Sequence, residues 1–510
     1  MSTQERNPRI IIVGAGMAGI ATAITLIKHG YTELTIIEKG SDVGGVWHWN
    51  HYPGLTCDVP SNLYQYSFET KSDWSRAFAT GPEIQRYLSE VADKYQLRGN
   101  ITFDTEVISA HFVDEHWVVA TNDGLTRTYD FVIMATGVLH HPYTPDLPGL
   151  ANFSGTVVHT AQWDDSLVTN GAKVAVIGTG STGVQVVSAL HAEAAQIYHF
   201  VRTPQWILWS PMGLRQPRAV SMLLGRLPFL RTALYRMLLA ASGILADVTT
   251  TPSWRRRLVQ QYARVGLRLQ VRDRQLRKEL TPDYEPLCKR QVVSNTYYRA
   301  VARPNVAVVS GPIDEITETG IRTADGTSRD VDVIVLATGF AAHNYMRPMD
   351  LVGRDGIHIE QAWSQGPRAY RMTAIPGFPN LFTVLGPNSP TGSISLQYTA
   401  ELTAEYIVSW LDRYRAGDLD LVEVTAEATA EFNEQVAKAL GPTVWNTGCN
   451  SWYLTEGGVV DLWPFDRRTL TDMLTTPNSD HFTTTRRALA ESPQIDFAAA
   501  NADGGKNGNE

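Results

Sequence analysis

"RIIIVGAGMAGIATAITLIKHG", residues 9–30, reads as a strand, a glycine turn and a helix. Gly14, Gly16 and Gly19 form G-x-G-x-x-G at the junction. The first glycine permits the tight turn, the second lets a pyrophosphate reach the backbone, and the third lets helix pack on strand. The helix start adds about half a positive charge facing the phosphates. A second strand, "LTIIEKG" (34–40), ends in Glu38. An acid at that offset, about 20 residues on, can accept hydrogen bonds from ribose hydroxyls. Glycine turns alone are common; strand, helix and acid in order predict a βαβ dinucleotide site.

The same grammar returns at "KVAVIGTGSTGVQVVSALH" (173–191), with Gly178, Gly180 and Gly183 in the three glycine places. The strand that follows, "QIYHFVRT" (196–203), ends in Arg202 and Thr203 instead of an acid. A carboxylate would repel a 2′-phosphate, whereas a guanidinium holds one with two charge-assisted bonds. This second site is expected to prefer NADPH to NADH; the alternative is a plain surface arginine. The strands in "YDFVIMATG" (129–137) and "VDVIVLATG" (331–339) each run into Ala-Thr-Gly, and "LFTVLGPN" (381–388) reads as a late strand. The fold class expected is α/β, two Rossmann-like units with a helical insertion. The boundaries read as 1–148 with 346–510 for the first unit, 149–211 with 281–345 for the second, and 212–280 for the insertion.

In the insertion, "SMLLGRLPFLRTALYRMLLAASGIL" (221–245) and "SWRRRLVQQYARVGLRLQVRDRQLRKEL" (253–280) look helical, with leucine on one face and arginine on the other. Arg226, Pro228, Arg231 and Arg236 are expected to interrupt the first run, leaving roughly ten apolar residues where about 20 are needed to span a bilayer. Peripheral membrane contact and a helical cover over the second unit remain as readings, the cover preferred. The tail "NADGGKNGNE" (501–510) is expected to be disordered.

The chain has 510 residues and a formal net charge of −8, long enough for two or three domains and without the basic excess of a general nucleic-acid binder. Cys57, Cys288 and Cys449 stand far apart with no CxxC pair, so neither a zinc knuckle nor a redox-active disulfide is indicated. No metal site is expected. The polar start "MSTQERNPRI" lacks a signal-peptide core, and the compartment expected is the cytoplasm.

"DVGGVWHWNHYPGLTCDVPSNLYQYSF" (42–68) follows the first βαβ. Gly44 and Gly45 would let the backbone approach a flat cofactor, and Trp47 and Tyr64 could pack on its rings; a structural loop with aromatic anchors is the alternative. The connector "FSGTVVHTAQWDD" (153–165) sets a glycine, a histidine and a tryptophan at fixed offsets between the two glycine loops.

Taken in order, GAGMAG, "GGVWHWNHYPGLTCD", F-x-G-x-x-x-H-x-x-x-W-D, GTGSTG, "CKR" and "ATGF" resemble the class B flavin-dependent monooxygenases of the type I Baeyer–Villiger family. The resemblance covers nearly the whole chain and is weakest in the insertion and tail. It implies FAD in the first unit and NADPH in the second. Ala18, Val46, Asp58, Val59 and Val107 would join the flavin site. Thr179, Ser181, Thr182, Gln185, Thr203 and Lys289 would join the NADPH site, with Lys289 helping to hold the 2′-phosphate.

The connector matches at Phe153, Gly155, His159 and Trp163, with Asp164 where many members have proline. The resemblance implies that it moves one unit against the other, Gly155 permitting a turn, Trp163 packing at the seam and His159 serving as a hydrogen-bonded hinge residue. A core histidine and tryptophan are the bland reading.

In the family, NADPH passes hydride to FAD, and oxygen adds to give a C4a-peroxide that must stay deprotonated to attack a ketone. Arg290, in "PLCKRQ", matches the arginine that stabilises that charge, and Asp58 matches the carboxylate that positions it. The alternatives are a surface cation beside Lys289 for Arg290 and a turn cap for Asp58, and their joint match to one family weakens both. Trp452, in "NSWYLTEGG", matches a tryptophan near the nicotinamide, although the residues after it depart from the usual "GAN"-like continuation. "GPNSPTGS" (386–393) resembles the late flavin-ring loop.

The function expected is insertion of one oxygen atom of O2 beside a ketone carbonyl, giving an ester or lactone, with a bulky hydrophobic ketone and O2 as partners. The alternatives are oxygenation of amines or sulfides through a protonated hydroperoxide, and a non-catalytic flavin redox sensor. A disulfide reductase would need a cysteine couple, which the sequence does not display.

Overall fold

A computed structural model describes residues 6–486; the tail at 501–510, expected to be disordered, lies outside the described residues. Both units form where the patterns place them. The first is a five-stranded parallel sheet in the spatial order 381–383, 131–134, 10–13, 34–37, 101–102. Ile10–Val13 and Phe131–Met134 are buried along their whole length, which only a sheet covered on both faces allows. The second unit repeats the design with strands 306–310, 196–201, 173–177, 333–336 and 156–159.

Each glycine loop sits where the central strand of its sheet, Ile10–Val13 or Lys173–Ile177, meets its helix, Met17–Lys28 in one unit and Ser181–Leu190 in the other. The two Ala-Thr-Gly motifs acquire one physical role. Ala135 follows strand Phe131–Met134 and Ala337 follows Val333–Leu336, and each carries its carbonyl against the first glycine of its unit's loop.

Two expectations need correction, and one covalent link was not foreseen. Pro228 does not break the first apolar run: it starts a continuous helix, Pro228–Thr250, because proline at the first helical position sacrifices no hydrogen bond. That helix is long and apolar enough to cross a membrane by length and composition. One of its faces is nonetheless committed to protein, since Tyr235 and Leu239 pack with Leu63, and Ala246 and Val248 enter the core of the first unit. Nor does the insertion cover only the second unit. Trp254–Gln270 buries Ala263 and Leu267 in the second core, while Arg256 donates to the Pro442 carbonyl of the first unit's C-terminal segment. The insertion therefore straddles both. Finally, Cys288 and Cys449, 161 residues apart, are disulfide-bonded. No spacing rule finds such a pair, because the chain's return path brings it together.

Candidate active site

Steric fit identifies the cradles. Gly14 has a φ of +104°, and a Cβ there would lie 2.6 Å from the Ala135 carbonyl oxygen. A Cβ at Gly19 would lie 1.9 Å from the Gly14 carbonyl oxygen. The second loop repeats this at Gly178 (φ +122°, 2.2 Å from the Ala337 oxygen) and Gly183 (2.1 Å from the Gly178 oxygen). The middle glycines differ. Gly180 faces open space, and a Cβ at Gly16 would meet only the Gly45 backbone, at 3.4 Å or more, so both leave backbone bare for a phosphate. Neither helix carries an acid in its first turn. The two cradles thus fit a dinucleotide pyrophosphate each.

In the first unit Glu38 is buried, its carboxylate accepting the amides of Ala15 at 2.7 Å and Gly40 at 2.7 Å. It braces the glycine loop, and each oxygen keeps a lone pair for a ribose hydroxyl. Ala18 lies buried in the first turn of the helix. Gly44 and Gly45 both adopt positive φ; a Cβ on Gly44 would strike the Gln85 amide at 1.9 Å. Val46 begins a short helix, Val46–Trp49, whose Trp47 indole donates to the Tyr64 hydroxyl at 3.0 Å. The two rings meet edge to face, and Val59 packs beside them against the first core. Val107 opens strand Val107–Val113 and is buried in the cluster behind the first sheet, so its side chain serves packing there.

In the second unit Thr179 donates to the Thr203 carbonyl at 2.7 Å, tying the loop to the end of strand Gln196–Val201. Ser181, Thr182 and Gly183 form the first turn of helix Ser181–Leu190. Arg202 is exposed and makes no ion pair among the described residues. Its charge reaches Lys289: burial first, and then Arg202, lower the Lys289 pKa, against a pull upward from Asp283. Lys289 also lies 4.5 Å over the Tyr284 ring. Two cations from separate segments, close enough for their charges to interact, fit a 2′-phosphate. Arg202→Ala is expected to raise the KM for NADPH about ten- to a hundredfold, the loss of one charge-assisted bond, and to leave that for NADH nearly unchanged. Parallel KM measurements with both coenzymes check it; an equal rise for both would refute the phosphate assignment.

Gln185 has a different employment from the one expected. Its amide oxygen accepts from Tyr52 at 2.9 Å and its nitrogen donates to the Thr56 carbonyl at 2.8 Å, so it clasps the flavin-side loop to the second unit. The connector meets the same loop. His51 lies 2.9 Å from Asp165, and Trp163 and Tyr52 are buried in one cluster. His159 Nδ1 accepts the Ala161 amide at 3.1 Å, and burial lowers its pKa. Gly155 lies in the bend before strand Thr156–His159, and it also supplies room: a Cβ would lie 2.4 Å from the Asp332 carbonyl oxygen and 2.5 Å from the Phe153 ring.

Arg290 and Asp58 stand between the units as a bidentate pair, Nε–Oδ2 at 3.1 Å and Nη2–Oδ1 at 2.8 Å. A further Nη1–H of Arg290 donates to the carbonyl of Thr391, in the late loop. The Asp58 charge raises the Arg290 pKa, outweighing burial, so the guanidinium is permanently cationic. Tyr453 lies against it; burial pushes this phenol up to about 12, and Arg290 pulls back. Trp452 packs on Tyr453 at 4.6 Å between ring centroids and stays partly exposed. The Cys288–Cys449 bond fastens the two segments that carry Arg290 and Trp452.

Sequence reasoning missed four members of this assembly. Tyr52, Thr391 and Tyr453 each neighbour a residue that was singled out, and no spacing rule marks them. His199 is fully buried in strand Gln196–Val201, where its Nε2–H donates to the Gly178 carbonyl at 2.9 Å and its Nδ1 accepts from Tyr297 at 3.1 Å. A histidine inside an apolar strand beside a glycine loop was the available signal. Burial pushes its pKa from 6.5 down to about 4. The unfolded chain then binds the extra proton first, so this contribution to stability is present above pH 6.5 and is lost as pH falls from 6.5 toward 4. Thermal midpoints across that window should fall more gently in His199→Gln than in the parent; parallel slopes would show that His199 does not titrate there.

Two glycine cradles in one chain, with a guanidinium fixed by a carboxylate, define an oxidoreductase that pairs a flavin with a nicotinamide coenzyme. A family model described as pyridine nucleotide-disulphide oxidoreductase matches residues 11–212, a span that includes neither Cys288 nor Cys449. The chain is 36% identical over 482 residues to a Baeyer–Villiger monooxygenase of Pseudomonas aeruginosa, covering 91% of this chain and 90% of that one. It is 46% identical over 460 residues to an uncharacterized monooxygenase of Mycobacterium tuberculosis, covering 90% and 92%. Among solved structures, an oxidized steroid monooxygenase bound to NADP superposes with a TM-score of 0.84 at 30% identity, over 94% of this chain and all of that one. A closed cyclohexanone monooxygenase gives 0.84 at 28% identity, over 94% and 100%. The chain belongs to the Baeyer–Villiger monooxygenase family, NADPH-dependent flavoprotein monooxygenases built on two dinucleotide-binding folds.

Proposed function

We propose that the protein inserts one oxygen atom of O2 beside the carbonyl of a hydrophobic ketone, yielding an ester or lactone. The observation that carries this reading is the Arg290–Asp58 pair held at the junction of the flavin-side loop, the late loop and the NADPH unit. FAD, bound by the first cradle, supplies hydride acceptance from NADPH and activation of dioxygen. The residues of the chain do the rest.

Arg290 has five N–H donors, of which two go to Asp58 and one to Thr391, and a further one meets the Tyr453 hydroxyl, leaving one for the reacting oxygens. A preorganised cation stabilises negative charge both on the activated oxygen and on the adduct it forms with a carbonyl. It equally opposes protonation of that oxygen, which oxygenation of amines and sulfides requires. Asp58 keeps the guanidinium charged and fixes its plane. Trp163, Gln185 and His159 hold the seam across which the nicotinamide unit must move, and Arg202 with Lys289 grips its phosphate. Offering linear, cyclic, aryl and steroid ketones beside thioethers, with product masses determined, tests the reading; a protein yielding sulfoxides and no esters would refute it.

A further inference from the structure

Helix Trp254–Gln270 is amphipathic in the reverse sense. Its buried face carries Arg256, Gln260, Ala263 and Leu267. Its solvent face carries Trp254 (66% exposed), Leu258 (59%), Tyr262 (47%), Val265 (46%) and Leu269 (73%). Steps of four, four, three and four residues place these on a single stripe. The neighbouring helices Arg218–Arg226 and Pro228–Thr250 add Met222, Phe229 and Met237, each more than half exposed. Of the 22 large apolar residues exposed among the described residues, 14 lie between 209 and 269. A soluble surface seldom gathers so much apolar area without a partner.

The charge on this segment is as concentrated as its apolar surface. Residues 212–280 hold fourteen Lys and Arg against three Asp and Glu, a balance of +11 in a chain of −8. Arg255, Arg257 and Arg268 are exposed and flank the stripe, and none of them is in an ion pair among the described residues. An isologous dimer through this face would set two such positive surfaces against each other. Apolar side chains for insertion, an aromatic residue at the end of the stripe and arginines beside it match the interface of an anionic bilayer.

We infer that residues 209–272 form a docking surface for anionic lipid membranes, on which the protein lies with the stripe in the headgroup region. Tyr262 is itself anchored, donating to the Trp209 carbonyl at 2.7 Å, so the stripe and Trp209 form one rigid patch. The face belongs to the insertion that packs on both nucleotide units. This inference stands apart from the oxygenation chemistry.

The test is flotation of the FAD-loaded full chain with vesicles. In about 0.1 M salt, where charges act over about 10 Å, the protein should float with phosphatidylcholine vesicles containing phosphatidylglycerol and remain behind with phosphatidylcholine alone. Two double variants, Trp254→Ser with Leu258→Ser and Arg257→Gln with Arg268→Gln, should each reduce the floated fraction on the order of tenfold. Flavin content and ketone-free NADPH oxidation should stay at parent values in both. Absence of flotation, equal flotation with neutral vesicles, or undiminished flotation of both variants would overturn the inference. So would sedimentation showing that Trp254→Ser with Leu258→Ser converts a dimer into a monomer without any vesicle binding in the parent.

Discussion

Arg290→Ala is expected to cut ester formation by about 10²–10³-fold while NADPH still bleaches the flavin at close to the parent rate. The expectation rests on where the guanidinium sits. It touches Asp58 and Thr391, not the glycine loop of either unit, so its loss leaves both pyrophosphate cradles standing. What disappears is the cation aimed at developing negative charge. Asp58, bereft of its partner, is left half-buried, and some loss of thermal stability is expected with it. Arg290→Lys restores a charge but not the fork that matches a carboxylate, and should recover only part of the rate. Anaerobic stopped-flow reduction and product quantification separate the two half-reactions. Parent-like ester formation in the alanine variant would remove Arg290 from the mechanism, and would suit the redox-sensor alternative.

The second large effect is expected at Gly178. Alanine there must hold a φ of +122° and keep its Cβ 2.2 Å from the Ala337 carbonyl oxygen. That backbone region costs a non-glycine residue about 1–3 kcal/mol. The clash adds to it, because Ala337 continues the buried strand Val333–Leu336 and cannot retreat. Three kcal/mol is roughly a hundredfold in affinity, and Gly178→Ala should weaken NADPH by at least about that factor. FAD content should persist, since the first cradle is a separate loop. Gly180→Ala discriminates between collapse and obstruction. Its Cβ meets nothing within 4 Å, so the variant should fold with parent stability and lose NADPH only because the methyl occupies pyrophosphate space. Normal NADPH affinity in both variants would mean that this loop is not the coenzyme's cradle.

Both units were legible because their chemistry is local. A strand, a tight turn and a helix start lie within one stretch, and Gly19 and Gly183 have steric duties set by the carbonyls of Gly14 and Gly178 in the same loops, although Gly14 and Gly178 themselves meet Ala135 and Ala337 far along the chain. The Arg290–Asp58 pair was legible only through resemblance: 232 residues separate the partners, and no periodicity connects them. Cys288 with Cys449 escaped for the same reason. Gly155 was assigned to a turn; the need for its smallness against Asp332, 177 residues further on, was not legible. Pro228 was read as a breaker because its position within the helix depends on where the preceding helix stops. Gln185 sits where a coenzyme ligand is expected, yet the flavin-side loop has claimed both ends of its amide.

The central claim is oxygen insertion next to a carbonyl under the control of a fixed cation. Incubating the FAD-loaded protein with NADPH, a ketone and ¹⁸O₂, and then weighing the product, tests it most directly. The account predicts an ester or lactone carrying one heavy oxygen, in the ring or ester position, with NADPH consumed in equal amount. NADPH consumption that yields no labelled ester from any ketone, or label found only in sulfoxides or N-oxides, would contradict it.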